Sequence, residues 1–304
     1  MKYFTPLLLF LPPILLCLWV APLRDFVLIN AALQLTLFVF VVHLPAYRTG
    51  RMSYVDIGWP LGLAVIGALV FLLGSGDPAR LALVGGIYLF MGLRMGVMAL
   101  FYLYRGAFAK ELPRYRFQRI RWGKEGKKNE MLAMQVDILL QALANVSFLS
   151  LPALFMAFAP EGPLHWIEIA GAALWVFSFG METVADRQKQ AFIKDAAARG
   201  DLRAVCNVGL WRYTRHPNYF FEWMVWNALI VMSLPAFVWM FPATHWSVWG
   251  ALGVSLVFIS RLMYNTLVLF TGAIPSEYYS RKKRPGYKEY RRVTNMFFPG
   301  PVRG

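Results

Sequence analysis

Ionisable and amide side chains interrupt the apolar stretches of this chain at spacings that place several of them on shared helical faces. Asp137, Gln141 and Asn145 recur at i, i+4 and i+8, and Glu182 and Asp186 stand four apart. Glu222 and Asn227 open one apolar run, and Arg261 and Asn265 share a face of the next. Asp56 sits in Ser53-Tyr54-Val55-Asp56-Ile57-Gly58-Trp59-Pro60, and Arg94 in Met91-Gly92-Leu93-Arg94. Such groups are costly at lipid depth and usually face an internal cavity. Taken singly they read equally well as packing glue or interfacial caps; taken together, at the same ends of different helices, they point to one wet cavity. The densest signal is Gly209-Leu210-Trp211-Arg212-Tyr213-Thr214-Arg215-His216-Pro217-Asn218-Tyr219. It sets two guanidiniums, an imidazole and an amide at a helix entrance, a combination suited to phosphate; the plainer reading is a basic turn on lipid headgroups. The tail Pro285-Gly286-Tyr287-Lys288-Glu289-Tyr290-Arg291-Arg292, closing on Phe297-Phe298-Pro299, alternates rings and cations. That pattern suits a lid stacking on a planar ligand, or an interfacial anchor.

The elements that must carry these residues are membrane helices. Of 304 residues, 58% are hydrophobic and only 15% charged, against roughly 25% charged in a soluble domain. Eight apolar stretches are long enough to span hydrocarbon, at 4–21, 26–46, 55–74, 81–103, 137–159, 164–184, 219–241 and 247–270. The fold class expected is therefore all-α, a polytopic membrane helix bundle of seven or eight transmembrane helices, in one domain over 1–304. The first stretch resembles a signal-peptide core but lacks a small-residue cleavage site, so it reads as a retained helix that Pro12-Pro13 should kink or break. The net charge of +15 follows the positive-inside rule rather than a nucleic-acid surface. Lys and Arg crowd 104–130, 186–216 and 281–303, while the turns at 161–163 and 241–244 have none. Both termini and the basic loops are expected in the cytoplasm, in a multi-pass protein of a bacterial inner membrane. Cys17 and Cys206 give neither a disulfide framework nor metal-ligand spacing.

Gly209 to Tyr219, with Glu222 after it, resembles the signature shared by steroid 5α-reductases and by isoprenylcysteine and phospholipid methyltransferases. Glu182-Thr183-Val184-Ala185-Asp186-Arg187-Gln188-Lys189-Gln190-Ala191-Phe192 looks like the reductases' adenine-nucleotide segment, and Gly286 to Pro299 like their tail. The chain thus resembles the steroid 5α-reductase family, in a bacterial, DUF1295-type form, best from 180 to 300. The resemblance implies NADPH as cofactor, in a cytoplasm-facing cavity, and a steroid-like hydrophobic substrate drawn from the lipid. It implies that Glu182 and Asp186 bind ribose or adenine, that Arg215, His216, Asn218 and Tyr219 flank pyrophosphate and nicotinamide, and that Arg105 and Arg291 add charge. It adds Lys189, Trp211, Tyr213, Glu222 and Tyr287 to the cofactor set. Asp56 falls where the family has an acid beside the substrate carbonyl, with Tyr54, Tyr88 and Arg94 as its companions, although Tyr54 and Asp56 bracket Val55 and position 91 is Met rather than Tyr.

Hydride delivery to an enone builds negative charge on its carbonyl oxygen, which a dry site with one or two donors stabilises. A protonated Asp56 would be one such donor; the structural alternative pairs Asp56 with Arg94. The competing enzyme reading is an S-adenosylmethionine-dependent methyltransferase, whose family usually carries two adjacent Glu residues where Ser276-Glu277-Tyr278-Tyr279 has one. A transporter or lipid-binding scaffold is the non-enzymatic reading, and no internal repeat supports it.

Overall fold

The structure, a computed structural model, describes residues 2–303. It is helical throughout, with no strand among the described residues and one isolated bridge, Thr214 to Asn295. The helices are α1 (Thr5–Trp19), α2 (Ala21–Thr49), α3 (Met52–Leu73), α4 (Pro78–Tyr104), α5 (Pro113–Lys124), α6 (Glu130–Ala157), α7 (Trp166–Ala198), α8 (Pro217–Trp239), α9 (Trp246–Lys283) and α10 (Tyr287–Val293). Seven of them, α2 to α4 and α6 to α9, are long and apolar enough to cross a membrane, and α1 is a shorter apolar helix. Large apolar side chains such as Trp19, Leu72, Val176 and Val254 are exposed, which hydrocarbon tolerates and water does not. The run Thr5–Trp19 changes helix type at Phe10, the interruption expected beside Pro12-Pro13. A 3₁₀ turn ends at Leu9 and the α-helix starts at Leu11, so both prolines lie in its first turn, where their missing N–H groups have no helical partner to lose.

The chain forms two compact units, one of 1–169 with 230–259 and the other of 170–229 with 260–304. All three divisions of the chain fall inside helices, one each in α7, α8 and α9, with no linker to betray them in the sequence.

Within the first unit α3 and α4 lie close enough that a Cβ on Gly92 would sit 2.3 Å from the Ala64 nitrogen, the close approach that small residues permit between membrane helices. The spacing of Asp137 and Asn145 proves structural here, a correction to the wet-cavity expectation. Asp137 accepts from Trp122 Nε1 at 2.8 Å and Gln118 Nε2 at 2.7 Å. Asn145 Nδ2 donates to Gln34 Oε1 at 3.2 Å and to the Trp59 carbonyl at 3.1 Å. Gln34 Nε2 in turn donates to the Gly62 carbonyl at 2.8 Å, so this fully buried amide cluster ties α2, α3 and α6 together. Each of these amides has at least one partner in this dry setting, and Asn145 Oδ1 is the oxygen of the cluster left buried without one.

This unit has two chemically distinct ends. At one, Lys2 donates to the Gly126 carbonyl, Asn129 N–H donates to Tyr3 Oη at 3.1 Å, and Arg119 Nη2 donates to the Gly50 carbonyl at 2.7 Å. Glu111 accepts from the N–H groups of Met52 and Ser53, capping α3. At the other, Ser75 and Gly76 N–H donate to the Ala157 carbonyl, and Arg80 meets Glu168. Residue 2 therefore shares an end with the basic 104–130 loop, and α1 with α2 forms the hairpin that an eighth traverse requires. Cysteines introduced at Lys2 and Lys127 are expected to react with an impermeant maleimide from the same face of a sealed vesicle, and one at Gly162 from the opposite face. Opposite labelling of Lys2 and Lys127 would contradict the hairpin.

Candidate functional site

The second unit holds a cavity of about 220 Å³ lined from four separated segments. α7 contributes Lys189 and Phe192; the 204–219 stretch contributes Cys206, Trp211, Arg215, His216, Asn218 and Tyr219; α9 contributes Ser276 and Ser280; the tail contributes Arg284, Tyr287 and Tyr290.

The turn that presents these groups is built by its own sequence. Gly209 adopts φ +52°, where a side chain is strained, and a Cβ there would lie 2.5 Å from the Gln188 side chain. Gln188 Oε1 instead accepts from Leu210 N–H at 2.9 Å, and Trp211 Nε1 donates to the Ala185 carbonyl at 2.9 Å, docking the turn on α7. Pro217 then opens α8, which fixes His216 and Asn218 at the helix start. The tail folds back along the same turn. Arg215 N–H donates to the Asn295 carbonyl at 2.9 Å, Thr214 Oγ1 to the Phe297 carbonyl at 2.9 Å, and Tyr290 Oη to the Trp211 carbonyl. Phe297 is buried against Phe220, Trp223 and Tyr264, so it serves the protein core rather than a lipid interface.

Glu277 joins these pieces. Its Oε1 accepts from Arg215 Nε at 2.7 Å and faces His216 Nε2 at 3.3 Å, while Oε2 pairs with Arg291 Nε at 3.0 Å. Arg215 Nη1 donates onward to the carbonyls of Arg291 and Thr294. Burial pushes the His216 imidazole below the usual histidine range, with Glu277 opposing the shift. That shift favours the neutral ring, which faces Glu277 through Nε2 and stacks on Tyr219 at 5.4 Å and 9°. Burial holds the Tyr287 and Tyr290 phenols and the Cys206 thiol in their protonated forms, although Lys189 draws the thiol the other way. Asn218 Nδ2 donates to Asp186 Oδ1 at 3.0 Å, and this acidic partner fixes which end of the amide is which. Asn218 Oδ1 is left buried without a partner in a residue that lines the cavity.

Seven residues anticipated for a cofactor line this cavity: Lys189, Trp211, Arg215, His216, Asn218, Tyr219 and Tyr287. Asp186 and Arg291 stand behind them, on Asn218 and Glu277. Glu182 and Glu222 are on α7 and α8 but outside the lining, and Tyr213 is exposed. Arg105 belongs to the first unit, as do Tyr54, Asp56, Tyr88 and Arg94. Asp56 accepts from Arg114 Nη2 and from Tyr115 Oη, so the ion pair runs to Arg114 on α5. Tyr88 is fully buried and gives its hydroxyl to the Leu149 carbonyl at 2.6 Å; Tyr54 packs edge-on to Phe108; Arg94 is half-buried on α4. Glu277, Ser280, Arg284 and Tyr290 were not anticipated as individual site residues; Glu277 had drawn notice only as the single acid where methyltransferases carry two, and Tyr290 only within the tail's alternation of rings and cations.

Comparison with curated proteins and comparison with solved structures each give no match. A family model described as a protein of unknown function (DUF1295) matches residues 39–294, most of the chain, and the chain belongs to that family.

Proposed function

We propose that this protein is an NADPH-dependent reductase of an activated C=C bond in a hydrophobic, sterol-like substrate, as the resemblance to steroid 5α-reductases implies, with its nucleotide site toward the cytoplasm. The observation that supports this reading is the meeting, in one cavity, of the α7 segment, the Arg215-His216-Pro217-Asn218-Tyr219 turn and the tail. The donor set suits a dinucleotide. Asn218 Oδ1 is an orphaned acceptor for an amino or carboxamide N–H, Lys189 and Arg284 answer phosphate charge, and Trp211, Tyr219 and Tyr287 offer ring faces. NADPH, when bound, supplies the hydride. The protein orients the ring through Asn218 and Tyr219 and, with apolar walls at Phe192 and Ile193, limits water at the site.

The substrate side of the reading rests on Asp56. Both oxygens of its carboxyl are acceptors, from Arg114 and Tyr115, so a role as donor to an enone oxygen requires that cluster to open. Turnover of NADPH with a 3-oxo-Δ4-steroid, followed by loss of its near-ultraviolet absorbance, tests this. Asp56→Leu is expected to lower the rate by about 10²–10³-fold with nucleotide affinity unchanged. Solvent screens the pair with Arg114, whose side chain is 38% exposed, but the buried Tyr115 hydroxyl loses its acceptor, so the fold should lose about 1–3 kcal/mol. A folded Asp56→Leu protein that works at the wild-type rate removes Asp56 from the chemistry, and a wild-type protein that binds NADPH but oxidises none removes the enone.

A further inference from the structure

We propose that the exposed face of α5, in the first unit, is a docking surface for anionic phospholipid headgroups. The helix is amphipathic by register. Tyr115, Gln118 and Trp122 recur at i, i+3 and i+7 on its inner face, with the two rings buried. Tyr115 gives its hydroxyl to Asp56, while Trp122 Nε1 and Gln118 Nε2 donate to Asp137 at 2.8 and 2.7 Å, so the rotation of α5 about its axis is fixed. Arg116, Ile120 and Lys124, at i, i+4 and i+8, fall on the opposite face and are all exposed. An apolar side chain between two cations matches the boundary of headgroups and acyl chains better than it matches water. Tyr102 and Tyr104, exposed where α4 ends, are the residue type that membrane proteins set at headgroup level.

Charge selects the headgroup. Residues 104–130 hold nine Lys or Arg and three Glu. All three acids are already engaged: Glu111 and Glu130 pair with Arg119 at 3.0 and 2.8 Å, and Glu125 pairs with Lys127 at 2.8 Å. Lys110, Arg116, Lys124 and Lys128 are exposed and make no ion pair among the described residues. Arg116 Nε donates to the Glu111 carbonyl at 2.9 Å, which aims the guanidinium and leaves its two Nη groups for a ligand. Like charges on one face repel, and phosphates placed among them reverse the sign of that interaction. A zwitterionic headgroup brings its own cation with the phosphate and gains less. The membrane helices α4 and α6 precede and follow α5 in the chain and keep it beside the leaflet, which favours lipid over a soluble polyanion. The same helix carries Arg114 and Tyr115, the partners of Asp56, so headgroups bound here act on the element that fixes that carboxyl.

Hydrogen exchange reads this helix locally and without reference to activity. Full-length protein is reconstituted into nanodiscs of phosphatidylcholine alone or of an equal mixture with phosphatidylglycerol, and exchange is followed by mass spectrometry on peptides covering 113–128. Each basic residue at an anionic surface is worth about a fivefold preference. The α5 amides are therefore expected to exchange about five- to twentyfold more slowly with phosphatidylglycerol at low salt, and the difference should shrink as salt is raised. Arg116→Gln combined with Lys124→Gln should erase the difference between the lipids. Ile120→Ser should speed exchange in both and leave their ratio, because an apolar side chain does not read headgroup charge. Slowing by phosphatidylglycerol that survives the double substitution overturns the assignment to this face. Slowing by an added oligonucleotide or acidic peptide in phosphatidylcholine discs, with none from phosphatidylglycerol, also overturns it and gives the face to a soluble partner. Equal exchange of wild-type α5 in the two lipids overturns it outright, and that result does not depend on any variant folding.

Discussion

Glu277→Leu is expected to destabilise the protein by about 3–5 kcal/mol and to abolish ligand binding at the cavity. The carboxylate is 5% exposed and is the shared partner of Arg215, itself 6% exposed, of His216 and of Arg291. Removing it strands a buried guanidinium, whose lost compensation sets that magnitude. The damage should spread along the tail, because Arg215 also holds the carbonyls of Arg291 and Thr294, and the same tail brings Tyr287 and Tyr290 to the cavity wall. Glu277→Gln keeps an acceptor and should be milder. Thermal unfolding in detergent, together with the rate of proteolysis between Arg281 and Arg292, measures both effects. A Glu277→Leu protein with wild-type unfolding temperature and an uncut tail would show that Glu277 is not what holds these segments together.

Arg80→Leu is expected to cost a similar amount in the first unit, with no effect on nucleotide affinity. Arg80 and Glu168 are both fully buried, joined at 2.6 Å through Nε and at 3.1 Å through Nη2. Arg80 also donates to the carbonyls of Pro160 and Pro163 and lies 5.0 Å from the Trp239 ring, so one side chain gathers the start of α4, the 158–165 turn and the end of α8. Truncating it leaves Glu168 as an unpaired buried charge, costing about 3–5 kcal/mol. Arg80→Leu with Glu168→Leu removes both charges and should cost much less than the sum of the two single changes. Additive single effects in that double-mutant cycle would show that the ion pair contributes nothing of its own.

Hydropathy makes the membrane helices legible because hydrocarbon selects on composition alone, and seven of the eight apolar stretches are long helices. Their ends are less legible. α7 runs to Ala198 and α9 to Lys283, well past the apolar windows at 164–184 and 247–270, because polar turns extend a helix that hydropathy sees only within the lipid layer. The Arg215 to Tyr219 turn could be read as a site because its residue types are dense over a few positions. Glu277 could not, since its partners stand 62 and 61 residues before it and Arg291 follows in another helix. Arg80 and Glu168, 88 residues apart, were silent for the same reason. The i, i+4 spacing of Asp137 to Asn145 found a shared face correctly but misjudged what it faces, since spacing within one helix says nothing about Trp122 or Gln34 on others.

The central claim, that the cavity of the second unit holds NADPH, is tested most directly by equilibrium binding to the purified full-length protein. NADPH fluorescence should saturate on titration, the affinity should weaken as salt is raised because phosphate pairing is partly screened, and Asn218→Leu should weaken it further by removing both the free acceptor and the bond to Asp186. S-Adenosylmethionine, titrated by calorimetry under the same conditions, should give no saturable heat. Saturable binding of S-adenosylmethionine with no response to NADPH would contradict the account and place the cavity with the methyltransferases.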